Sequence, residues 1–343
     1  MATSDKMVQL LRHQMVRRLP SAVELAARQP LALTQRDQAI LAAIGTHGFL
    51  STELVDFAFF ASPVGGEPVP GSRAHRRLRL LWLAGLVERI ELPINRVLGG
   101  RRPFVYALTP HGVEHVPSDP ADSTTTQRRV DRKDDCLSEH DAWAATLWAQ
   151  MQALTRTTRL QACRWVPERE LRARKIHVRD PLTERWLPVL PDGYAELEYP
   201  DSTVQCCMVE IDMGTVSLVD FGSKLRALEL YLAQGLFTQT FGQSGFEVLV
   251  LTHSTERLNH LWQVGRRVVP AEAWPWYSFA LFELLASSEQ FGSEGWKTLR
   301  GDTTGLLYDA AHRDDAVARP TEQGTSSRLY GRSCPTTRIS RDR

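Results

Sequence analysis

The sequence predicts an α+β chain of two domains, the first in winged helix-turn-helix order and the second an α/β domain with an α-β-β-β-α-β core. Three observations lead there. Three helix patterns and two β-type runs precede residue 117. A stretch almost without apolar residues follows, Pro117 to Asp135 (PSDPADSTTTQRRVDRKDD). Beyond it lie a helix pattern and four β-type segments, with a second helix between the last two. At 343 residues the chain is long enough for two cores, since a domain takes roughly 100–200. The boundaries read as 30–116 for the first domain, 117–136 for a linker, 137–300 for the second domain and 314–343 for a disordered basic tail.

In the first domain a helix opens at Thr34, with Asp37 three residues on as an approximate capping box, and places Ile40, Leu41 and Ile44 at helical spacing. His47-Gly48 ends it. Ser51-Thr52 starts a second short helix, Glu53 to Phe60, and a Gly/Pro-rich loop runs from Ser62 to Gly71. Ser72 begins a third helix, which Gly85 terminates. Val87 to Leu92 and Phe104 to Leu108 then alternate as a hairpin around a basic loop. In the second domain Ser138 caps a helix carrying Leu147, Trp148 and Met151. The β-type segments are Gln161–Val166, Leu187–Leu197, Val204–Asp212 and Phe246–Thr252, with a helix from about Val216 to Ala233. A further helix near Glu256 to Val264 and an apolar run from Trp276 to Leu285 complete the domain.

Composition narrows the function classes. With 43% hydrophobic and 24% charged residues, wholesale disorder and fibrous architectures are excluded. The net charge of +1 means that any attraction to nucleic acid comes from a local patch. Five cysteines without a CxxC pair read as free thiols in a reducing cytoplasm, and Cys206-Cys207 reads as strand core. Met1 to Pro20 lacks the apolar run of a signal peptide, and no window reaches the ~18 apolar residues of a membrane span. The expectation is a cytoplasmic protein without membrane contact.

The local patch is plain. Between Arg73 and Arg102 stand eight arginines (73, 76, 77, 79, 89, 96, 101 and 102) against Glu88 and Glu91, a net of +6. Helical periodicity gathers Ala74, Leu78, Leu81 and Trp82 on one face of the third helix; Arg73, Arg76 and Arg79 point away, with Arg77 at the margin. Guanidinium groups on an outer helix face suit phosphates and the guanine edge in the major groove of double-stranded DNA. Arg101 and Arg102 at the hairpin tip would follow adjacent phosphates. A solvated arginine face is the plainer reading, and Leu80 and Leu83 on the same arc would suit a protein partner. Helix, wing and charge together favour DNA.

A second constellation is acidic. Pro191-Asp192-Gly193 interrupts the second downstream strand, and Glu210-Ile211-Asp212 ends the third. Alternation puts Glu210 and Asp212 on one face, where adjacent strands could bring them close to Asp192. Hard oxygen donors of this kind favour Mg²⁺ or Mn²⁺, so Asp192, Glu210 and Asp212 are the candidate metal ligands. Lys224, two turns into the following helix, would supply positive charge to a phosphodiester transition state, which makes Asp192, Glu210 and Lys224 the candidate catalytic set. Glu168, just after the first strand, is a further candidate ligand. The plainer readings are a Pro-Asp-Gly turn, a helix-capping Asp212 and a solvated Lys224.

This arrangement resembles the PD-(D/E)xK nuclease superfamily, which implies a restriction-endonuclease-like fold. Asp192 matches the first acid and Glu210 the second; Asp212 stands where that motif has its lysine, and Lys224 matches members in which the lysine moves to the next helix. Over roughly Leu33 to Thr252 the chain is also similar to the replication-relaxation family of plasmids and mobile elements. That resemblance rests on Leu33–Val55 (LTQRDQAILAAIGTHGFLSTELV), Arg76–Arg89 (RRLRLLWLAGLVER) and Arg101–Gly112 (RRPFVYALTPHG). It extends to Leu190–Glu198 (LPDGYAELE), VEIDMGT from Val209 and KLRALELY ending at Tyr231. It implies a DNA-binding protein linked to plasmid replication and to the topological state of plasmid DNA.

The favoured expectation is therefore DNA binding in plasmid or mobile-element replication, with metal-dependent nicking that would relax supercoils. The alternatives are a transcription or replication regulator whose inactive nuclease fold serves dimerisation, and a scaffold that binds replication or mobilisation proteins through Leu80, Leu83 and the basic tail. His111 and His115 superficially suggest a zinc pair, but Gly112 stands where a zincin has its Glu, no third ligand has suitable spacing, and both read as surface residues. No phosphate-cradling GxxxxGK[ST] is present.

Overall fold

The computed structural model describes residues 16–18, 20, 31–60, 72–91, 104–116, 138–158, 160–286, 291–292 and 294–307. The loop Ser62–Gly71, the linker 117–136, the tail 314–343, Arg96, Arg101 and Arg102 lie outside them. The chain is mixed α+β and divides into two compact units, Met1–Arg159 and Leu160–Arg343. Among the described residues no helix is long and apolar enough to cross a membrane.

The first unit begins with strand β1 (Val16–Arg18) and helix α1 (Gln35–His47). The capping box read from the sequence is present: Thr34 Oγ1 accepts from Asp37 N at 3.3 Å, and Asp37 Oδ2 accepts from Thr34 N at 2.6 Å. Ile40, Leu41 and Ile44 are fully buried, each contributing about 1.5–3 kcal/mol by leaving water. Gly48 ends the helix at φ 80°, a left-handed value that a side chain would strain. Strand β2 (Leu50–Ser51), helix α2 (Thr52–Phe59, capped by Ser51) and helix α3 (Ser72–Leu83) follow. Gly85, at φ 74°, closes α3: Gly85 N donates to Trp82 O and Leu86 N to Leu81 O. Strands β3 (Val87–Glu91) and β4 (Phe104–Leu108) pair antiparallel, and the whole sheet runs β1-β3-β4-β2. Helix α4 (Pro110–Val113) caps its end.

Helix α5 (Glu139–Thr157), grouped by the sequence reading with the second domain, lies in the first unit and packs on α2. Its Trp148 ring sits 4.6 Å from His47 and 6.0 Å from Phe59, and Arg156 donates to the carbonyls of Phe57 and Ala58 at the end of α2. These carbonyls have no partner within their own helix, so the guanidinium satisfies them.

The second unit is built on a seven-stranded mixed sheet of order β13-β12-β11-β10-β9-β8-β5. Its chain order is β5 (Ala162–Pro167), α6 (Glu168–Ala173), β6 (His177–Arg179), β7 (Trp186–Pro188), β8 (Gly193–Glu198) and β9 (Val204–Asp212). Then come α7 (Leu218–Ala233), α8 (Leu236–Phe241), β10 (Glu247–Thr252), α9 (Thr255–Val268), β11 (Tyr277–Leu281), β12 (Trp296–Thr298) and β13 (Thr303–Thr304). Strands β5, β8 and β9 form an antiparallel meander, whereas β9, β10 and β11 are parallel, so each crossover carries helices, α7 with α8 and then α9. The segment expected as one strand from Leu187 to Leu197 divides in two: Leu187 belongs to a separate hairpin, β6–β7, and Leu197 to the main sheet. Pro191-Asp192 makes the break. Tyr194, Cys206, Met208, Val248 and Phe279 pack with Leu225, Leu228, Leu261 and Val264 of α7 and α9 in one core.

Candidate functional site

On α3 the apolar face falls as the periodicity requires, with Ala74, Leu78, Leu81 and Trp82 buried. Arg73, Arg76 and Arg79 are exposed. Arg73 Nη2 donates to Phe60 O at 2.8 Å, which ties α3 to the end of α2. Arg76 and Arg79 have no ion-pair partner among the described residues. Arg77 differs: it forms a two-pronged ion pair with Asp37, whose side chain is 1% exposed, and also reaches Ala32 O. Although burial opposes it, the Arg77 guanidinium and Thr34 hold the Asp37 carboxyl below its ordinary range. Arg89 stacks between Trp82 and Phe104, 4.2 and 4.5 Å from the ring centres. Part of the local charge therefore holds α1, α3 and the hairpin together, and part faces solvent.

In the second unit, alternation along β9 puts Cys206, Met208, Glu210 and Asp212 on the face covered by α7 and α9. The first two enter the apolar core; the last two, 3% and 4% exposed, meet cations. Glu210 Oε2 lies 2.5 Å from Lys224 Nζ on α7. Asp192 precedes β8, which pairs with β9, and its Oδ1 lies 3.7 Å from the same ammonium. Asp192 Oδ2 accepts from Ile211 N at 2.7 Å, fixing the carboxylate across the two strands. Burial alone would push Lys224 down, but the Glu210 and Asp192 carboxylates, with Glu168 further off, hold it well above an ordinary lysine. Its ammonium therefore stays charged throughout the neutral range. Two carboxylates and one ammonium leave the cluster net negative.

Asp212 has a different partner. Arg257, in the first turn of α9, grips it with Nε–Oδ2 and Nη2–Oδ1 distances of 2.7 Å each, and Nη2 also donates to Val216 O at 2.5 Å. Thr252 Oγ1 and Gly214 N add bonds to Oδ2 at 3.2 Å. With its oxygens so engaged, Asp212 serves as a clamp between β9, β10 and α9. Arg257 went unnoticed in the sequence; the usable signal was an arginine in the first turn of the helix after the strand that pairs parallel to β9. Glu168 opens α6 and is held by Arg172 one turn on. Cys206 and Cys207 are core, and burial pushes the Cys206 thiol up to about 12.

A family model described as Replication-relaxation matches residues 41–244, from the middle of α1 through α8. The chain belongs to the replication-relaxation family. The match spans the α3 helix, the hairpin and all of Asp192, Glu210, Asp212 and Lys224, so both constellations of this replication-relaxation protein lie within the family region. No curated protein and no solved structure was found to match it.

Proposed function

We propose that this protein binds duplex DNA through Arg73, Arg76 and Arg79 of α3 together with Arg101 and Arg102. On this reading the first unit is a winged helix-turn-helix and α3 its reading helix. The second unit is a restriction-endonuclease-like domain that cleaves one DNA strand in a reaction needing a divalent ion. Membership of the replication-relaxation family suggests a role in plasmid or mobile-element replication or relaxation, and nicking a supercoiled circle is a chemistry suited to it.

The observation that carries the enzymatic reading is the convergence of Asp192, Glu210 and Lys224, spaced 18 and 14 residues apart along the chain, at one end of two paired strands. Two hard carboxylate oxygens aimed at one point fit Mg²⁺ or Mn²⁺, with Asp192 and Glu210 as the residues that would hold the ion. Bound there, such an ion lowers the pKa of a water and offsets charge on the phosphate. Lys224 is too firmly protonated to act as a base; its part is to keep a positive charge beside the phosphate oxygens.

A second reading has a specific observation in its favour. The Lys224 ammonium already bridges both carboxylates and so stands in for a cation, as in a fold that has lost catalysis and serves a regulator for dimerisation or protein binding. Supercoiled plasmid incubated with the full chain separates the two. Nicking that requires Mg²⁺ or Mn²⁺ and disappears in Asp192→Ala and Glu210→Ala supports the enzyme. A mobility shift without nicking supports the regulator.

A further inference from the structure

The turn that follows β4 carries metal-type ligands far along the chain from the carboxylates of the second unit. Thr109 fastens this turn to the end of α3: its hydroxyl donates to Gly85 O at 2.5 Å, its N–H donates to Leu86 O at 3.1 Å, and its Oγ1 accepts from Gly112 N at 3.0 Å. Gly112 presses so closely on the Leu86 carbonyl that a Cβ there would stand 1.8 Å from the oxygen. The backbone is thus held firmly, and one helical turn presents His111, Glu114 and His115 on the same side. From these residues we infer that the turn is a binding site for one divalent transition-metal ion of the zinc type.

Glu114 supplies the third ligand that the zinc reading of the sequence lacked. One donor atom from each of the three side chains lies within 4.8 Å of the others. Tetrahedral zinc, with bonds of about 2.0–2.2 Å, spaces its ligands about 3.3–3.6 Å apart. The required closure, at most about 1.2–1.5 Å, falls to side chains with room to change rotamer, since those of His111 and Glu114 are 55% and 71% exposed. His111 Nδ1 already faces Glu114 Oε2 at 3.2 Å. His115 Nδ1 donates to the His111 carbonyl at 3.0 Å, which leaves the lone pair on its Nε2, the second-sphere arrangement that orients a ligating imidazole. Two imidazoles and one carboxylate suit Zn²⁺, Co²⁺ or Ni²⁺ and do not suit Mg²⁺. A fourth position stays open to water.

Calorimetric titration of the full chain with ZnCl₂, in a non-chelating buffer containing excess Mg²⁺, tests the site. The expected result is that a His111→Ala, His115→Ala double variant binds one Zn²⁺ fewer per chain than the wild type. Glu114→Gln weakens that same event about tenfold, and Asp192→Asn leaves it in place. Identical titrations of wild type and double variant, or displacement of Zn²⁺ by Mg²⁺, overturn the inference. Should the double variant lose its circular dichroism signal, acylation of the wild-type histidines by diethyl pyrocarbonate decides instead. Protection of His111 and His115 by Zn²⁺ supports the site, and unchanged labelling overturns it.

Discussion

Arg76 and Arg77 are neighbours with opposite duties, and the difference is measurable. Removing Arg77 leaves Asp37 buried and unpaired, so Arg77→Ala should cost about 3 kcal/mol of stability in denaturant unfolding. Arg76→Ala and Arg79→Ala, on exposed positions, should change stability by no more than about 0.5 kcal/mol while weakening duplex DNA binding in a mobility-shift titration. Asp37 also sets an acid limit. Its folded-state pKa is depressed, so its contribution is complete above the ordinary carboxylate value of about 3.9 and is lost as pH falls through the lower folded value. The stability difference between wild type and Asp37→Asn should therefore be constant at neutral pH and vanish in acid. Asp212 follows the same logic as Arg77's partner: Asp212→Asn should cost about 3 kcal/mol by releasing Arg257, yet leave Mg²⁺ or Mn²⁺ affinity unchanged. Retained stability, or lost ion affinity, would count against the clamp.

At the level of elements, the acidic site depends on how β8 begins. Gly193 follows Asp192 and lies under the Trp165 ring, so that a Cβ would stand 2.5 Å from Trp165 Cζ2. Gly193→Ala should cost about 1–3 kcal/mol through this overpacking, and the proposed nicking should fall with it because the Asp192 carboxylate would shift away from Ile211 N and Lys224. Unaltered stability in thermal unfolding would mean that Trp165 moves aside freely. Much at this scale was legible beforehand. Strand β9 has the bounds its apolar run predicts, and α7 starts within two residues of expectation because Ser217 caps it and Asp220 binds the cap. Hairpin β6–β7 was not legible, since its three-residue strands are too short to show alternation. Helix α5 carried no mark of the unit it joins, because an apolar stripe read along one helix does not say which core it packs against.

Across the whole molecule, a net charge of +1 means that the proposed DNA affinity would rest on a few arginines rather than on a general field. If Arg73, Arg76, Arg79, Arg101 and Arg102 each displace one counterion, log K should fall against log[salt] with a slope of about −4 to −5. A slope near zero would remove the helix and wing as the DNA face. By itself the sequence determined the longer helices and strands, where the basic cluster lies and that acids stand at two strand ends. Each of these follows from local periodicity, capping and composition. Only the tertiary structure decided which charge meets which. Glu210 chooses Lys224 at 14 residues' separation, Arg77 chooses Asp37 at 40, and Arg257 chooses Asp212 at 45. The choice depends on strand register and helix packing, because a buried charge must find whatever opposite charge the fold brings within hydrogen-bonding reach, however distant it is along the chain.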